Sequence, residues 1–156
     1  MKDIATELKE HPFFADLPDP TINLLGGCGH NEVYKPETLL ASEGAEANEF
    51  FIIRRGRVAI QLHAAATGLA RIQTLDAGDI LGWSWLFPPY RWSVEARALQ
   101  EVHTVKLDGR CLRQKCDADP ALGYALMKRF SRIMTQRLEA TRLQLLNLYG
   151  KANEPA

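Results

Sequence analysis

The chain has 156 residues, of which 46% are hydrophobic and 24% are charged, and this composition is ordinary for one soluble globular domain. Its 19 basic and 19 acidic side chains cancel, so no overall field would draw the protein to DNA or to an anionic membrane. No run of about 18 apolar residues is present, and no membrane-spanning helix is therefore predicted.

The first thirty residues are predicted to form a helical segment. Short helices are expected over residues 3–10 and 19–28, and prolines break the chain between them. Asp19 stands directly before Pro20, and proline is favoured at the first position of a helix. This pair therefore marks the start of the second helix.

Residues 31–108 have the pattern of a mainly β domain. Short β-type runs such as EFFIIRRG and RVAIQLHA recur along this region, with glycine-containing turns between them. Regularly spaced short strands predict an antiparallel sandwich or barrel and leave no room for βαβ crossovers.

Residues 109–150 are predicted to be helical, a short helix followed by a long one. Asp119 would cap the long helix, Pro120 would open it and Gly150 would end it. Side chains near heptad spacing form one stripe along it: Met127, Phe130, Met134, Leu138, Thr141, Leu145 and Leu148. The stripe predicts a homodimer through residues 120–149, or equally the face of a helix packed on its own domain. Residues 1–156 are predicted as a single domain.

The three cysteines, Cys28, Cys111 and Cys116, are odd in number and include no C-x-x-C pair. Their spacing predicts neither a disulfide framework nor a zinc site. The N-terminus also lacks an apolar core of signal-peptide length. We therefore expect reduced thiols and a cytoplasmic location.

Two segments resemble the cyclic-nucleotide-binding domains of bacterial catabolite-activator-type regulators and of the regulatory subunits of cyclic-nucleotide-dependent kinases. The first, residues 34–62, matches a family run of turn and inner-face residues, although one glycine of the pattern is missing beside Pro36. The matching residues are Gly44, Phe51, Ile53, Gly56 and Val58. The resemblance covers about residues 10–149. It implies a double-stranded β-helix, or jelly roll, with N-terminal helices and a long C-terminal dimerisation helix.

The second segment, GWSWLFPPYRWS, resembles the loop and short helix with which this family holds its ligand. The candidate ligand-binding residues in it are Gly82, Trp83, Ser84, Arg91, Trp92 and Ser93. The resemblance implies that Arg91 holds the cyclic phosphate, and a guanidinium beside a helix N-terminus suits that anion. Gly82 would let the backbone approach closely. The alternative for Arg91 is a surface salt bridge with Glu95.

Two tryptophans depart from the family pattern. Trp83 stands where the family has a glutamate that accepts a hydrogen bond from the ribose, and an indole N–H only donates. The loss of such a bond costs about 1.5–3 kcal/mol, which stacking of Trp83 on a purine would offset in part. Trp92 replaces a small residue. Alternatively, Trp83, Trp85 and Trp92 are packing residues, the reading preferred for Trp85.

Thr141 is the last candidate ligand contact. In the activator branch of the family a Thr-Ser pair on the terminal helix reaches the adenine, and the resemblance aligns Thr141 with the threonine and Arg142 with the serine. A threonine hydroxyl donates and accepts, which suits the edge of a base. Equally, Thr141 fills a position in the apolar stripe.

Several functions are not predicted. The four histidines form no H-x-H pair and no metal-ligand cluster, and no nucleophile motif is supported, so neither a metal nor catalysis is expected. No helix-turn-helix follows the long helix, so direct DNA binding is not expected.

The sequence thus predicts a stand-alone bacterial regulatory domain without a cofactor. It would bind cyclic AMP, cyclic GMP or a related phosphate-bearing effector and signal through its dimer helix to a partner protein of unknown identity. The alternative is a degenerate domain that no longer binds nucleotide and acts as a dimeric protein-interaction module.

Overall fold

The computed structural model describes residues 3–65 and 68–152, and in them a β-roll lies between helices from the two ends of the chain. The helices are α1 (Ile4–Glu10), α2 (Asp19–Gly26), α3 (Gly109–Ala118) and α4 (Pro120–Ala152), with single 3-10 turns at Pro12–Phe14 and Ser84–Leu86. The strands are β1 (Gly29–Tyr34), β2 (Leu39–Ala41), β3 (Glu49–Arg55), β4 (Val58–Ala64), β5 (Gly68–Leu75), β6 (Ile80–Leu81), β7 (Glu95–Ala98) and β8 (Val102–Asp108).

The eight strands form two four-stranded antiparallel sheets, with strand orders β1-β8-β3-β6 and β2-β7-β4-β5. This arrangement is the predicted jelly roll with N-terminal helices and a long C-terminal helix. The prediction of the fold class is confirmed.

Strand β3 has a continuous apolar sequence, and the burial of its side chains explains why. Successive side chains of a strand point to opposite faces. Phe50 and Ile52 face the helices, where they join one hydrophobic cluster, whereas Phe51 and Ile53 join a second cluster inside the roll. Both faces of β3 are therefore buried.

Most predicted elements lie within two or three residues of the observed ones. The two-residue strand β6 was not predicted, because a pair of residues carries no periodic pattern. Helix α4 begins at Pro120 as expected but continues through Gly150 to Ala152, so the predicted stop at Gly150 is wrong. Among the described residues, no helix is long and apolar enough to span a membrane.

Cys28 and Cys111 form a disulfide, with their Cα atoms 5.9 Å apart, while Cys116 is free. The expectation that all three thiols are reduced is therefore wrong. Because the two cysteines are separated by 83 positions in the sequence, their spacing gives no indication that they are close in space. The fold creates it, because Cys28 follows α2, Cys111 lies in the first turn of α3, and the Asp108 amide donates to the Cys28 carbonyl at 2.8 Å.

A pocket between the roll and helix α4

A pocket of about 280 Å³ lies where α4 crosses the open side of the roll. Its lining comes from β4, β5 and β6, the loop after β6 and α4: Ile60, Ile72, Gln73, Leu81, Gly82, Trp83, Ser84, Trp92, Ser93, Val94, Met134, Arg137, Leu138 and Thr141. The structure thus brings together six of the seven residues that sequence analysis selected. Arg91 is the exception.

Arg91 and Trp92 point to opposite sides of one extended segment. The segment pairs with residues 44–47, because the Trp92 amide donates to the Ala45 carbonyl at 2.9 Å and the Gly44 amide donates to the Trp92 carbonyl at 2.8 Å. Adjacent side chains of extended backbone alternate, so only one of the two can face inward. Trp92 does so and is 4% exposed.

Arg91 is exposed on the outside, where its guanidinium nitrogen lies 3.5 Å from the Gly44 carbonyl oxygen. Neither position expected for its side chain is observed. It does not line the pocket as a phosphate ligand would, and Glu95 lies 3.7 Å from Arg97 instead of pairing with Arg91.

Gly82 allows a close approach to its backbone, as expected, but the group that approaches it is the Trp92 side chain. Its φ of +104° lies in the left-handed region that favours glycine. A Cβ atom at Gly82 would lie only 2.5 Å from Cη2 of Trp92. The indole therefore covers the Gly82 backbone from inside the roll and stacks on Phe51, with ring centroids 6.4 Å apart.

Arg137 of α4 is the cation that lines the pocket. Its guanidinium carbon lies 4.8 Å from the centroid of the Trp83 ring, and its Nη2 donates to the Ile80 carbonyl. Trp83 thus contacts a cation at the position where the family pattern has a carboxylate.

Burial lowers the pKa of Arg137 from its ordinary value to about 10, and the Asp79 carboxylate partly opposes this shift. The guanidinium still carries its positive charge at neutral pH. Because the charge is incompletely solvated, a bound anion would be stabilised there more strongly than at an exposed arginine.

The Thr141 hydroxyl faces the same pocket one turn further along α4. It donates to the Arg137 carbonyl at 2.9 Å, so its proton is used within the helix. Its oxygen can still accept a hydrogen bond from a ligand. Gln144 continues the contact between helix and roll by donating to the Ile72 carbonyl at 2.8 Å.

Helix α3 holds the loop between β6 and β7 in place. Arg113 donates to the Trp85 carbonyl at 2.7 Å, and its guanidinium carbon lies 4.2 Å from the centroid of the Tyr90 ring. Trp85 itself is fully buried and stacks on Phe50 at 5.4 Å, which confirms that it is a packing residue. The expected short helix here is one 3-10 turn, Ser84–Leu86.

Arg137 was not predicted as a site residue, although its position relative to the apolar stripe of α4 indicates that it lies on the same side of the helix. Met134, Leu138 and Thr141 were recognised as one stripe, and Arg137 lies beside that stripe, one turn before Thr141. In the structure the stripe divides. Phe130 is fully buried and Met134 packs on the core, whereas Leu138 is already 51% exposed. The first half of the stripe packs on the chain's own domain.

No group of three or more His, Cys, Asp or Glu side chains with metal-binding geometry occurs within residues 3–65 and 68–152.

The sequence matches the family model of the cyclic nucleotide-binding domain over residues 31–119. No curated protein matches it significantly. These matched residues contain seven of the eight strands, most of β1 and all of α3.

Solved structures share the fold. A protein of Geobacter metallireducens classed as cyclic nucleotide-binding has a TM-score of 0.79 at 24% identity, with 88% of this chain and 99% of that chain covered. A cyclic nucleotide-binding domain of Methylobacillus flagellatus has a TM-score of 0.78 at 19% identity, with 93% and 82% covered. The regulatory subunit of a cAMP-independent protein kinase A from Trypanosoma brucei, as a mutant with cAMP in its A site, has a TM-score of 0.71 at 18% identity, with 90% and 48% covered.

Proposed function

Because the chain belongs to the cyclic nucleotide-binding domain family, we propose that it is a regulatory domain that binds a small anionic effector between the roll and α4. The effector would signal through α4 to a partner protein. The observation that carries the proposal is Arg137, a charged side chain that lines the pocket and at the same time ties α4 to the Ile80 carbonyl. An anion on this guanidinium would change how the helix is held.

A second element of the proposal is dimerisation through the end of α4. Leu143, Leu145, Leu146, Leu148 and Tyr149 are each more than half exposed, and an exposed apolar stretch of this length favours a protein contact. A homodimer through residues 120–149 would present α4 of both copies to the partner.

Cyclic AMP and cyclic GMP are the effectors to test first, since the family is defined by them. We expect both to bind weakly. Trp92, and not the adjacent Arg91, occupies the inward position, so Arg91 is not placed to bind the cyclic phosphate. Trp83 cannot accept a hydrogen bond from the ribose hydroxyl. Two lost hydrogen bonds to charged groups cost about 3–6 kcal/mol, or about two to four decades in affinity.

Isothermal titration of the wild type with both nucleotides is the direct test, with Arg137→Ala and Arg91→Ala as a matched pair. Heat that disappears only in Arg137→Ala would assign the nucleotide to this pocket. If only Arg91→Ala abolished a micromolar signal, the geometry proposed here would be overturned and the phosphate role of Arg91 restored.

One observation favours the alternative of a dimeric protein-interaction module. The Trp92 indole fills the roll beneath Gly82, as a side chain that replaces a ligand would. Acrylamide quenching separates the two functions, because Trp83 is only half-buried while Trp85 and Trp92 are buried. An effector that reduces quenching of Trp83 supports a sensor, whereas a pulldown partner bound equally with and without effector supports the module.

A further inference from the structure

The deep wall of the pocket is apolar. Ile60, Ile72, Leu81, Trp92 and Val94 of the roll line it. None of these side chains carries a charge, and Trp92 occupies the interior beneath Gly82. The end of the pocket inside the roll is therefore suited to a ring or branched hydrocarbon, because desolvating a phosphate there would be costly without a cation.

The charged end of the pocket lies on α4, while Gln73, Ser84 and Ser93 supply neutral polar groups from the roll and its loop. Among the lining residues that the structure describes, Arg137 is the one charged side chain. The Ile80 carbonyl engages one of the N–H donors of its guanidinium, which has five. The planar fork presented by the others matches a carboxylate, which accepts two parallel N–H bonds.

Charge and size both limit the ligand. A single guanidinium balances one negative charge, and none of the described lining residues has a carboxylate that could accept a hydrogen bond from a ribose hydroxyl. The volume of about 280 Å³ lies just below the usual range for drug-sized ligands, about 300–1,000 Å³. A compact monoanion fits these limits better than a polar nucleotide.

We propose that the pocket binds a small ring-bearing monocarboxylate, with its ring on the apolar wall and its carboxylate on Arg137. Such a ligand lies with its apolar part inside the roll and its anion toward α4. The inference rests on the proposed function and names the chemical class of its effector.

The test is isothermal titration of the full chain with phenylacetate and 1-naphthylacetate and with their neutral amides, beside cyclic AMP and cyclic GMP. We expect the two carboxylates to bind and each matched amide to bind about tenfold to a hundredfold more weakly, since the amide lacks the charge that strengthens the bond to the guanidinium. This comparison uses the wild type alone and does not depend on the folding of any variant.

Two variants then locate the charge. Arg137→Gln should make acid and amide bind with similar affinity, because the cation is removed while a neutral polar side chain remains. Arg132→Ala is the matched control, since Arg132 is an exposed cation of α4 that does not line this pocket. It should leave the preference for the acid unchanged.

Each outcome separates the two proposals. Equal binding of acids and amides by the wild type overturns the monocarboxylate inference. Tighter binding of a cyclic nucleotide, lost in Arg137→Gln, overturns the inference but supports the proposed effector function. If none of the six compounds binds, the inference fails and the interaction module becomes the better account of the pocket.

Discussion

Gly82 and Trp92 pack closely against each other in the lining of the pocket. The glycine lacks the atom that would meet the indole, and its backbone is left-handed. The tryptophan can lie beneath it only for that reason. The two residues therefore act as one packing unit, although ten positions separate them.

Gly82→Ala is expected to destabilise the protein by about 2–4 kcal/mol, because it adds a Cβ clash with Trp92 to the penalty for a left-handed alanine. Gly78→Ala is the matched control. Its φ of +95° is similar, but a Cβ atom there meets nothing within 4 Å, so only the conformational penalty of about 1–2 kcal/mol applies. Urea denaturation measures both, and equal losses would show that the contact with Trp92 is unimportant.

Glu49 is a residue whose ionisation makes the free energy of unfolding depend on pH. Burial raises the pKa of this half-buried carboxyl, and the negative charges of Asp108 and Glu32 add to the rise while Lys106 and Arg110 oppose it. The folded state therefore holds the proton more tightly than the unfolded chain. Its contribution to stability is present at acid pH and is lost as pH rises from the ordinary carboxyl range through the raised pKa.

Glu49→Gln should accordingly increase the free energy of unfolding at pH 7, by up to about 1 kcal/mol because the side chain is partly solvated. The gain should shrink as pH is lowered toward 4. Denaturation of the variant and the wild type at both pH values measures this, with the exposed Glu43→Gln as control. A gain that grows on acidification would contradict the assigned cause.

The resemblance to the family predicted six members of the pocket but not the position of Arg91. An arginine followed by a tryptophan reads the same whichever of them faces inward, and a shift of one residue in the pairing with residues 44–47 exchanges the two. Arg137 was missed for a related reason. Its partners, Ile80 and Trp83, lie more than fifty positions earlier in the chain.

Helix α4 is the element that connects the pocket with the surface. Its first half is anchored by Phe130, which packs edge-to-face on Phe13 at 4.8 Å and on Phe50 at 5.1 Å. Its last turns carry the exposed leucines. The heptad spacing predicted one use for the whole stripe, whereas the structure uses the first half for the core. Sequence spacing alone does not show where the contact with the roll ends.

The proposed dimer predicts that Leu145→Glu with Leu148→Glu gives a monomer in sedimentation velocity, while the wild type sediments as a dimer. Both side chains are exposed, at 53% and 65%, so the double variant should fold normally. Asn147→Glu places a charge on the same turn without removing an apolar side chain and should remain dimeric. A monomeric wild type would remove the dimer from the proposal.

The disulfide joins the N-terminal helical segment to the C-terminal helices. The bond between Cys28 and Cys111 closes a loop with a sequence separation of 83, and closing long loops restricts the unfolded chain strongly. All eight strands lie between the two cysteines in the sequence, so the bond closes a loop that contains the whole β-roll.

Reduction with dithiothreitol is expected to lower the free energy of unfolding by about 2–4 kcal/mol. Cys111→Ala should lose a similar amount and should no longer respond to reductant. Cys116→Ser leaves the pair intact and should behave as the wild type under both conditions. A wild type whose unfolding midpoint is unchanged by reductant would show that the bond does not contribute to stability.

The antiparallel β-domain was predictable because turn spacing and strand length are local properties that repeat along the chain. The jelly-roll arrangement was predicted from the resemblance to the family. The disulfide and the Arg137 contacts depend on which distant segments meet. Which distant segments meet is decided by the packing of the whole roll, and no periodic pattern in the sequence indicates it.

The length of α4 also determines how far its C-terminal end would move if the helix tilted. At about 1.5 Å per residue, the helix extends about 33 Å beyond Phe130 to its end at Ala152. A tilt of about 10° around that buried ring would swing the far end by about 6 Å, more than one helical pitch of 5.4 Å. Arg137 lies only two turns from Phe130, so a displacement of about one ångström at Arg137 becomes about three ångströms at the end of the helix.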